Sequence, residues 1–160
     1  MKNTYYIAAL RISLGFIFLW AFLDKVFGLG FATKPEASWL NGGSPTSGFL
    51  EKAVHGPFAE IFHNMSGVVA VDWLFMTGLL LIGLALILGV GMKIATYTGS
   101  LLLLMMWLSL LPPSNNPIID DHIIYILALF VLKNLEAGKI FGFGKIWSQS
   151  TIVKKFPILE

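Results

Sequence analysis

Hydrophobic positions run along this chain in long blocks, without the strict alternation that would mark half-buried strands. Uncharged stretches extend from Trp73 to Met92 and from Ile94 to Ile119. About 20 apolar residues at 1.5 Å rise cross a hydrocarbon core of about 30 Å, so such blocks predict membrane spans. Four are expected, at residues 4–26, 68–90, 93–111 and 118–135. The predicted fold is all-α: an integral membrane four-helix bundle forming a transmembrane domain over residues 1–139, followed by a cytoplasmic amphipathic tail over 140–160. Arg11 interrupts the first block, and no small-x-small cleavage site precedes the Asp24-Lys25 pair, so the first helix is read as a retained span. Gly89 and Gly91 before Lys93 predict a tight hairpin. The run Pro112-Pro113-Ser114-Asn115-Asn116-Pro117 predicts a second turn at the other end.

Residues 27–67 are too many for a bare connector, and a partly helical extracytoplasmic loop is expected there. Ser44-Pro45 reads as an N-cap with proline at the first helical position, after Gly42-Gly43. Leu50, Val54, Phe58, Ile61 and Phe62 then recur at helical spacing and predict an apolar face against the bundle. Gly56-Pro57 should break this segment in two. The loop is expected to cap one mouth of the bundle.

Composition supports the membrane assignment: 56% of residues are hydrophobic and 12% charged, where about 25% charged is usual in soluble domains. The absence of cysteine excludes disulfides, thiolate nucleophiles, Cys-ligated zinc and iron–sulfur clusters in this chain. A net charge of +2, with no basic run interleaved with aromatics, gives no reason to expect nucleic acid. The lysines bear on topology instead. Lys2, Lys93, Lys133, Lys139, Lys145, Lys154 and Lys155 fall on one side, against Lys25, Lys34 and Lys52 on the other. Cytoplasmic flanks carry the excess, so a multi-pass cell-membrane protein with both termini cytoplasmic is predicted. In the tail, Phe141, Phe143, Ile146, Trp147 and Phe156 among the lysines suggest a segment lying on the inner headgroups.

Ionisable groups within spans are costly and mark candidate sites. Asp24 and Lys25 on the first span, Asp72 on the second, and Asp120, Asp121 and His122 on the fourth all lie within about 10 Å of the outer surface by helical rise. Trp73 and Tyr125 share that level, with Trp107 about a turn below the end of the third span. Asp72 and Trp73 can equally mark a helix start and an aromatic belt. The Asp120-Asp121-His122 run is harder to explain that way. Only Ile123 to Leu132 follow as purely apolar residues before Lys133, too few to span alone, so the acidic run falls within the membrane envelope. Two carboxylates and an imidazole there form a coupled set able to take up and release protons. Arg11 lies about 21 Å from Lys25 along the same helix, near Gly15, where another helix can approach closely. Glu136 is its most reachable carboxylate by depth, although a ligand or proton-path role stays open.

Glu60-x-x-His63 has no second copy, as a di-iron bundle would need, and a bis-His haem would require two intramembrane histidines where only His122 is near a span. His55 and His63 read as surface residues of the loop. No phosphate-binding loop, nucleophile elbow or dinucleotide fingerprint occurs. No metal, haem or flavin is therefore expected in this chain.

The string from Arg11 to Lys25, R-I-S-L-G-F-I-F-L-W-A-F-L-D-K, continuing through Phe27 to Thr33, resembles the first helix of the DoxX/DoxD membrane family. Gly42 to Leu50, Asp72-Trp73-Leu74-Phe75, Asn115-Asn116-Pro117 and Asp120-Asp121-His122-Ile123-Ile124-Tyr125 are similar to the DoxD branch in particular. The resemblance covers roughly residues 8–133. It implies the membrane subunit of a thiosulfate:quinone oxidoreductase, which joins two thiosulfates into tetrathionate and passes two electrons to an exchangeable membrane quinone. On that reading Asp120, Asp121 and His122 supply protons. Arg11, Lys25, Gly43 and Ser44 would bind the sulfur oxyanion. Trp20, Trp73, Trp107 and Tyr125 would flank the quinone ring, with Asp24 and Asp72 in support. The lipid bilayer, a DoxA-type subunit and a second copy of this chain are the candidate partners. The competing class is a non-catalytic DoxX-type membrane partner of a redox enzyme; a small-anion or proton-coupled carrier is a third, though no inverted repeat is seen.

Overall fold

A computed structural model describes residues 2–160, with side chains from Thr4 onward. The protein is helical, with no strand among the described residues. Four longer helices dominate: α1 (Lys2–Phe27), α4 (Val69–Leu88), α5 (Met92–Ser109) and α6 (Asp121–Asn134). Between α1 and α4 lie two 3₁₀ turns, Pro35–Ala37 and Trp39–Asn41, and two short helices, α2 (Ser47–Lys52) and α3 (Ala59–His63). After α6 come a 3₁₀ turn at Ala137–Lys139, α7 (Gly144–Ser148), α8 (Thr151–Lys155) and a final 3₁₀ turn at Pro157–Leu159.

Each long helix stands close to an expected span. Two of them, over Thr4–Phe27 and Val69–Leu88, are long and apolar enough to cross a membrane. At 18 residues α5 rises about 27 Å, and at 14 residues α6 rises about 21 Å, so by length α6 falls well short of a full crossing. The fourth helix is shorter than the block because Asp120 caps its start and Glu136, at φ +48°, lies just past its end.

The helices pack as α1 on α4, α4 on α5 and α5 on α6. Leu14, Phe18, Met76, Leu79, Ile82, Leu86, Leu103, Leu129 and Leu132 form the main core. The α1–α4 crossing depends on two glycines. A Cβ on Gly83 would stand 2.8 Å from the Leu19 nitrogen, and one on Gly15 2.9 Å from the Ile87 nitrogen. Gly15 thus admits its neighbour as expected. The predicted hairpin is also present: Gly89 ends α4 at φ +73° and Gly91 opens α5 at φ +62°. That end is called the hairpin end below, and the opposite one the cap end.

The cap itself departs from expectation in two places. Its regular helix starts at Ser47, three residues past Ser44, although the Ser44 hydroxyl accepts from the Ser47 N–H at 3.1 Å as an N-cap does. Leu50, Val54 and Phe62 are buried against Val71 and Leu108, but Phe58 and Ile61 are exposed. The break at Gly56-Pro57 separates α2 from α3, so the helical phase read across it does not carry through.

Candidate functional site

The cap end collects most of the polar residues singled out in the sequence. Asp120 caps α6: its Oδ1 accepts from the N–H groups of His122 at 3.0 Å and Ile123 at 3.4 Å. Its Oδ2 stands 2.7 Å from His122 Nδ1. One carboxylate therefore both starts the helix and fixes the imidazole two residues on, which directs the Nδ1 proton to Asp120 and leaves Nε2 for other partners. Asp121, beside it, is exposed and carries no such bond. These three residues line a cleft of about 320 Å³ with His55, Ser114 and Asn115.

His55 is the residue that sequence reasoning assigned to the surface. It is exposed, yet both ring nitrogens face carbonyl oxygens, Nδ1 with Ala53 at 2.9 Å and Nε2 with Pro112 at 3.3 Å. Satisfying two acceptors requires two N–H donors, which only the imidazolium has. The Ala53 carbonyl first, then that of Pro112, accordingly hold His55 above its ordinary pKa. The turn that places it is tight. His55 N–H donates to the Ser109 carbonyl at 3.1 Å, and Gly56, at φ +84°, lies so close to the Leu111 carbonyl that no side chain fits. The Gly56-Pro57 pair was a visible sequence signal for a turn, but its partner strand of chain, 109–112, is over fifty residues away.

Asp24 and Asp72 fasten the cap. Asp24 is 1% exposed, and its two oxygens accept from the N–H groups of Phe31 at 3.2 Å and Ala32 at 2.9 Å. Asp72 Oδ1 accepts from the Ser44 hydroxyl at 2.9 Å, the Thr46 hydroxyl at 2.6 Å and the Thr46 N–H at 3.2 Å. Asp72 thus does more than answer the dipole of α4, and Thr46 is a cap residue that spacing alone did not reveal. Ser44 is engaged in this latch, and the Gly43 N–H donates to the Ser38 carbonyl at 3.0 Å. The Gly43 N–H and the Ser44 hydroxyl, two of the donors expected for an oxyanion, are therefore occupied.

The remaining expected site residues do not converge. Arg11 is fully buried toward the hairpin end, about 20 Å from Lys25 by helical rise. Its guanidinium donates to the Leu86 and Ile87 carbonyls at the end of α4, the latter at 2.8 Å, and to the Ile140 and Phe141 carbonyls at 3.1 Å each. Glu136, the carboxylate expected to pair with it, instead meets Lys139 at 2.5 Å. Lys25 lies 5.9 Å from the ring centre of Phe75 and makes no ion pair among the described residues. Trp20 packs edge-on with Phe31, and Trp73 with Trp39. The Trp107 indole donates to the Ile118 carbonyl at 2.8 Å, two residues before Asp120. Tyr125 packs against the main core. Of the four aromatics, Trp107 is the one tied to the chain entering the cleft.

Among the described residues, no group of three or more His, Asp and Glu side chains is placed to hold a metal ion. What the cleft offers is an imidazole whose pKa two carbonyls raise, an imidazole oriented by a carboxylate, a free carboxylate and two neutral hydrogen-bonding side chains. No protein-family model, curated protein or solved structure matches the chain.

Proposed function

We propose that this chain is a four-helix integral membrane protein of the DoxX/DoxD type. In this reading the cap end faces outward and transfers two electrons from a small sulfur oxyanion to a membrane quinone. The membrane part is supported by the outer faces of all four long helices, which carry apolar side chains: Leu74 is 77% exposed, Leu101 60%, Leu127 58% and Phe16 54%. Water would penalise such faces, whereas lipid accommodates them. Tilt or local thinning of the bilayer accommodates the shorter α6.

The reaction balances without a thiol on the protein. Two thiosulfate dianions form one S–S bond and yield tetrathionate with the loss of two electrons; the quinone takes up those electrons and two protons. The observation that carries this reading is the Asp120–His122 pair in the cleft, with His55 among the other lining residues. His122 is the group to hand a proton to a quinone oxygen, and Asp120 stabilises the imidazolium that precedes the transfer. His55, when protonated, supplies positive charge at the cleft while its ring N–H groups stay with the Ala53 and Pro112 carbonyls, and Ser114 and Asn115 are the neutral donors for the oxyanion. Arg11, Gly43 and Ser44, whose donors are used within the fold, drop out of the anion site.

Purified chain in liposomes, given thiosulfate and a quinone analogue, tests this with and without a DoxA-type subunit. His122→Ala should lower turnover by about 10²–10⁴-fold, the usual worth of a general acid. Glu36→Ala on the loop surface should leave it unchanged. Absence of thiosulfate-dependent quinone reduction even with the partner subunit assigns the chain to the non-catalytic class. The internal use of Arg11, Asp24 and Asp72 already favours that class as the second reading.

A further inference from the structure

The hairpin end holds a second charged cavity that the proposed reaction does not use. Lys93 in the first turn of α5, Lys133 in the last turn of α6 and Lys139 just beyond it line a space of about 90 Å³ together with Glu136, Trp147 and Glu160. Three ammonium groups here face two carboxylates. Residues 157–160 fold back into this space as an internal ligand. Glu160 bridges two lysines, its Oε2 3.1 Å from Lys93 Nζ and its Oε1 3.2 Å from Lys139 Nζ. The Glu160 carbonyl accepts from the Lys93 N–H at 2.8 Å, one of the donors that the start of α5 leaves without a helical partner. Lys93 Nζ also donates to the Pro157 carbonyl at 3.0 Å, and the Trp147 indole to that of Leu159 at 2.5 Å. Lys93 first, then Lys139, hold the Glu160 carboxyl below its usual range, which keeps it anionic.

Glu160 leaves part of the cavity's capacity unused. Lys133 has no carboxylate within ion-pair distance among the described residues. Its ammonium rests 3.1 Å from the Tyr97 hydroxyl and over the Tyr97 and Phe130 rings. Two carboxylate oxygens can serve two lysines. A phosphodiester carries the same single charge as the Glu160 side chain but adds two ester oxygens to its two nonbridging ones, so its acceptors can reach the third lysine and the Lys93 N–H as well. At the high local concentration of a bilayer such a headgroup competes with the tail.

We infer that this cavity is a phosphate-group site, occupied in the bilayer by the headgroup of an anionic phospholipid that displaces Glu160 and the segment behind it. Basic pockets between helices at the cytoplasmic face suit that chemistry. The lipid source rests on the membrane reading above, whereas a site for free phosphate does not.

Tryptophan emission of the purified chain, in a neutral detergent, reports on the site through Trp147. Phosphatidylglycerol is titrated at low mole fraction in one arm and inorganic phosphate in another. A change seen in the native chain and lost in Trp147→Phe is expected with the lipid. Lys93→Met with Lys139→Met should weaken its midpoint by at least about tenfold, while Lys154→Met with Lys155→Met, outside the cavity, should not move it. Glu160→Gln should tighten it by about threefold, because a competing anion has been removed. That gain cannot come from misfolding. The inference is overturned if the change survives in Trp147→Phe, or if Glu160→Gln binds no tighter than the native chain. Equal response to inorganic phosphate overturns the lipid source and supports the anion site. Flotation with phosphatidylcholine vesicles judges the membrane reading separately. A chain that floats but shows no Trp147-dependent response overturns the cavity alone.

Discussion

The two ends of the bundle use opposite charges for the same mechanical purpose. At the cap end, Asp24, Asp72 and Asp120 accept hydrogen bonds from N–H and hydroxyl groups that the irregular loop and the start of α6 cannot pair internally. At the hairpin end, Arg11 donates to carbonyls exposed where α4 stops, and Lys93 to a carbonyl of the returning tail. The ends differ in what is left over. The cap end keeps His122 Nε2, Asp121 and Lys25 outside its structural bonds, whereas Lys133 is the one pocket lysine at the hairpin end without a carboxylate among the described residues. A polar residue deep in an apolar chain is therefore a poor guide to chemistry until its partners are known. Spare capacity in a cleft is the better guide.

Breaking the hairpin end should have the largest effect. Arg11→Ala leaves four carbonyls without their donor, two of them at the end of α4, and should cost about 3 kcal/mol or more, read from denaturant unfolding in micelles. Arg11→Lys should recover only part of that, since one ammonium cannot span all four. The crossing between the ends comes next: Gly83→Ala forces a Cβ against the Leu19 backbone and should cost about 2 kcal/mol. At the cap end, Asp72→Ala releases Ser44 and Thr46 at about 1–2 kcal/mol, seen chiefly as faster amide exchange over residues 44–50.

The smallest effect belongs to His55 and depends on pH. Its folded pKa is raised, so its contribution to seating the cap is complete below the unfolded value of about 6.5 and is lost as pH rises through the higher folded value. Amide exchange near residues 53–56 should therefore quicken across that window in the native chain. In His55→Gln it should show no such step. An unchanged step in the variant would overturn this role of His55.

Much of this was legible from residue order. Helix positions followed from the apolar blocks, the hairpin from Gly89 and Gly91, and the break in the cap from Gly56-Pro57. These are local signals, set by steric and hydrogen-bonding limits within a few residues. Phe58 and Ile61 fall outside the predicted apolar phase because a periodicity counted through a glycine–proline break has no physical continuity. Arg11 has carbonyls in place of the predicted carboxylate partner for a different reason. A charge in an apolar helix demands satisfaction, but carbonyls are anonymous in a sequence and any helix end supplies them.

By itself the sequence determined an all-helical chain of four long apolar blocks, of which two form helices long and apolar enough to cross a membrane, and it set the four aspartates toward one end, because burial and backbone pairing act through composition and local spacing. Only the tertiary structure decided which charges are consumed and which are spare. It set His55 in one cleft with the Asp120–His122 pair and Glu160 against Lys93, both across separations of more than sixty residues, with Lys139 on the other side of Glu160. Such partners are chosen by how the helices pack, since hydrogen bonds reach about 3 Å and nothing in the order of residues fixes which distant atoms come that close.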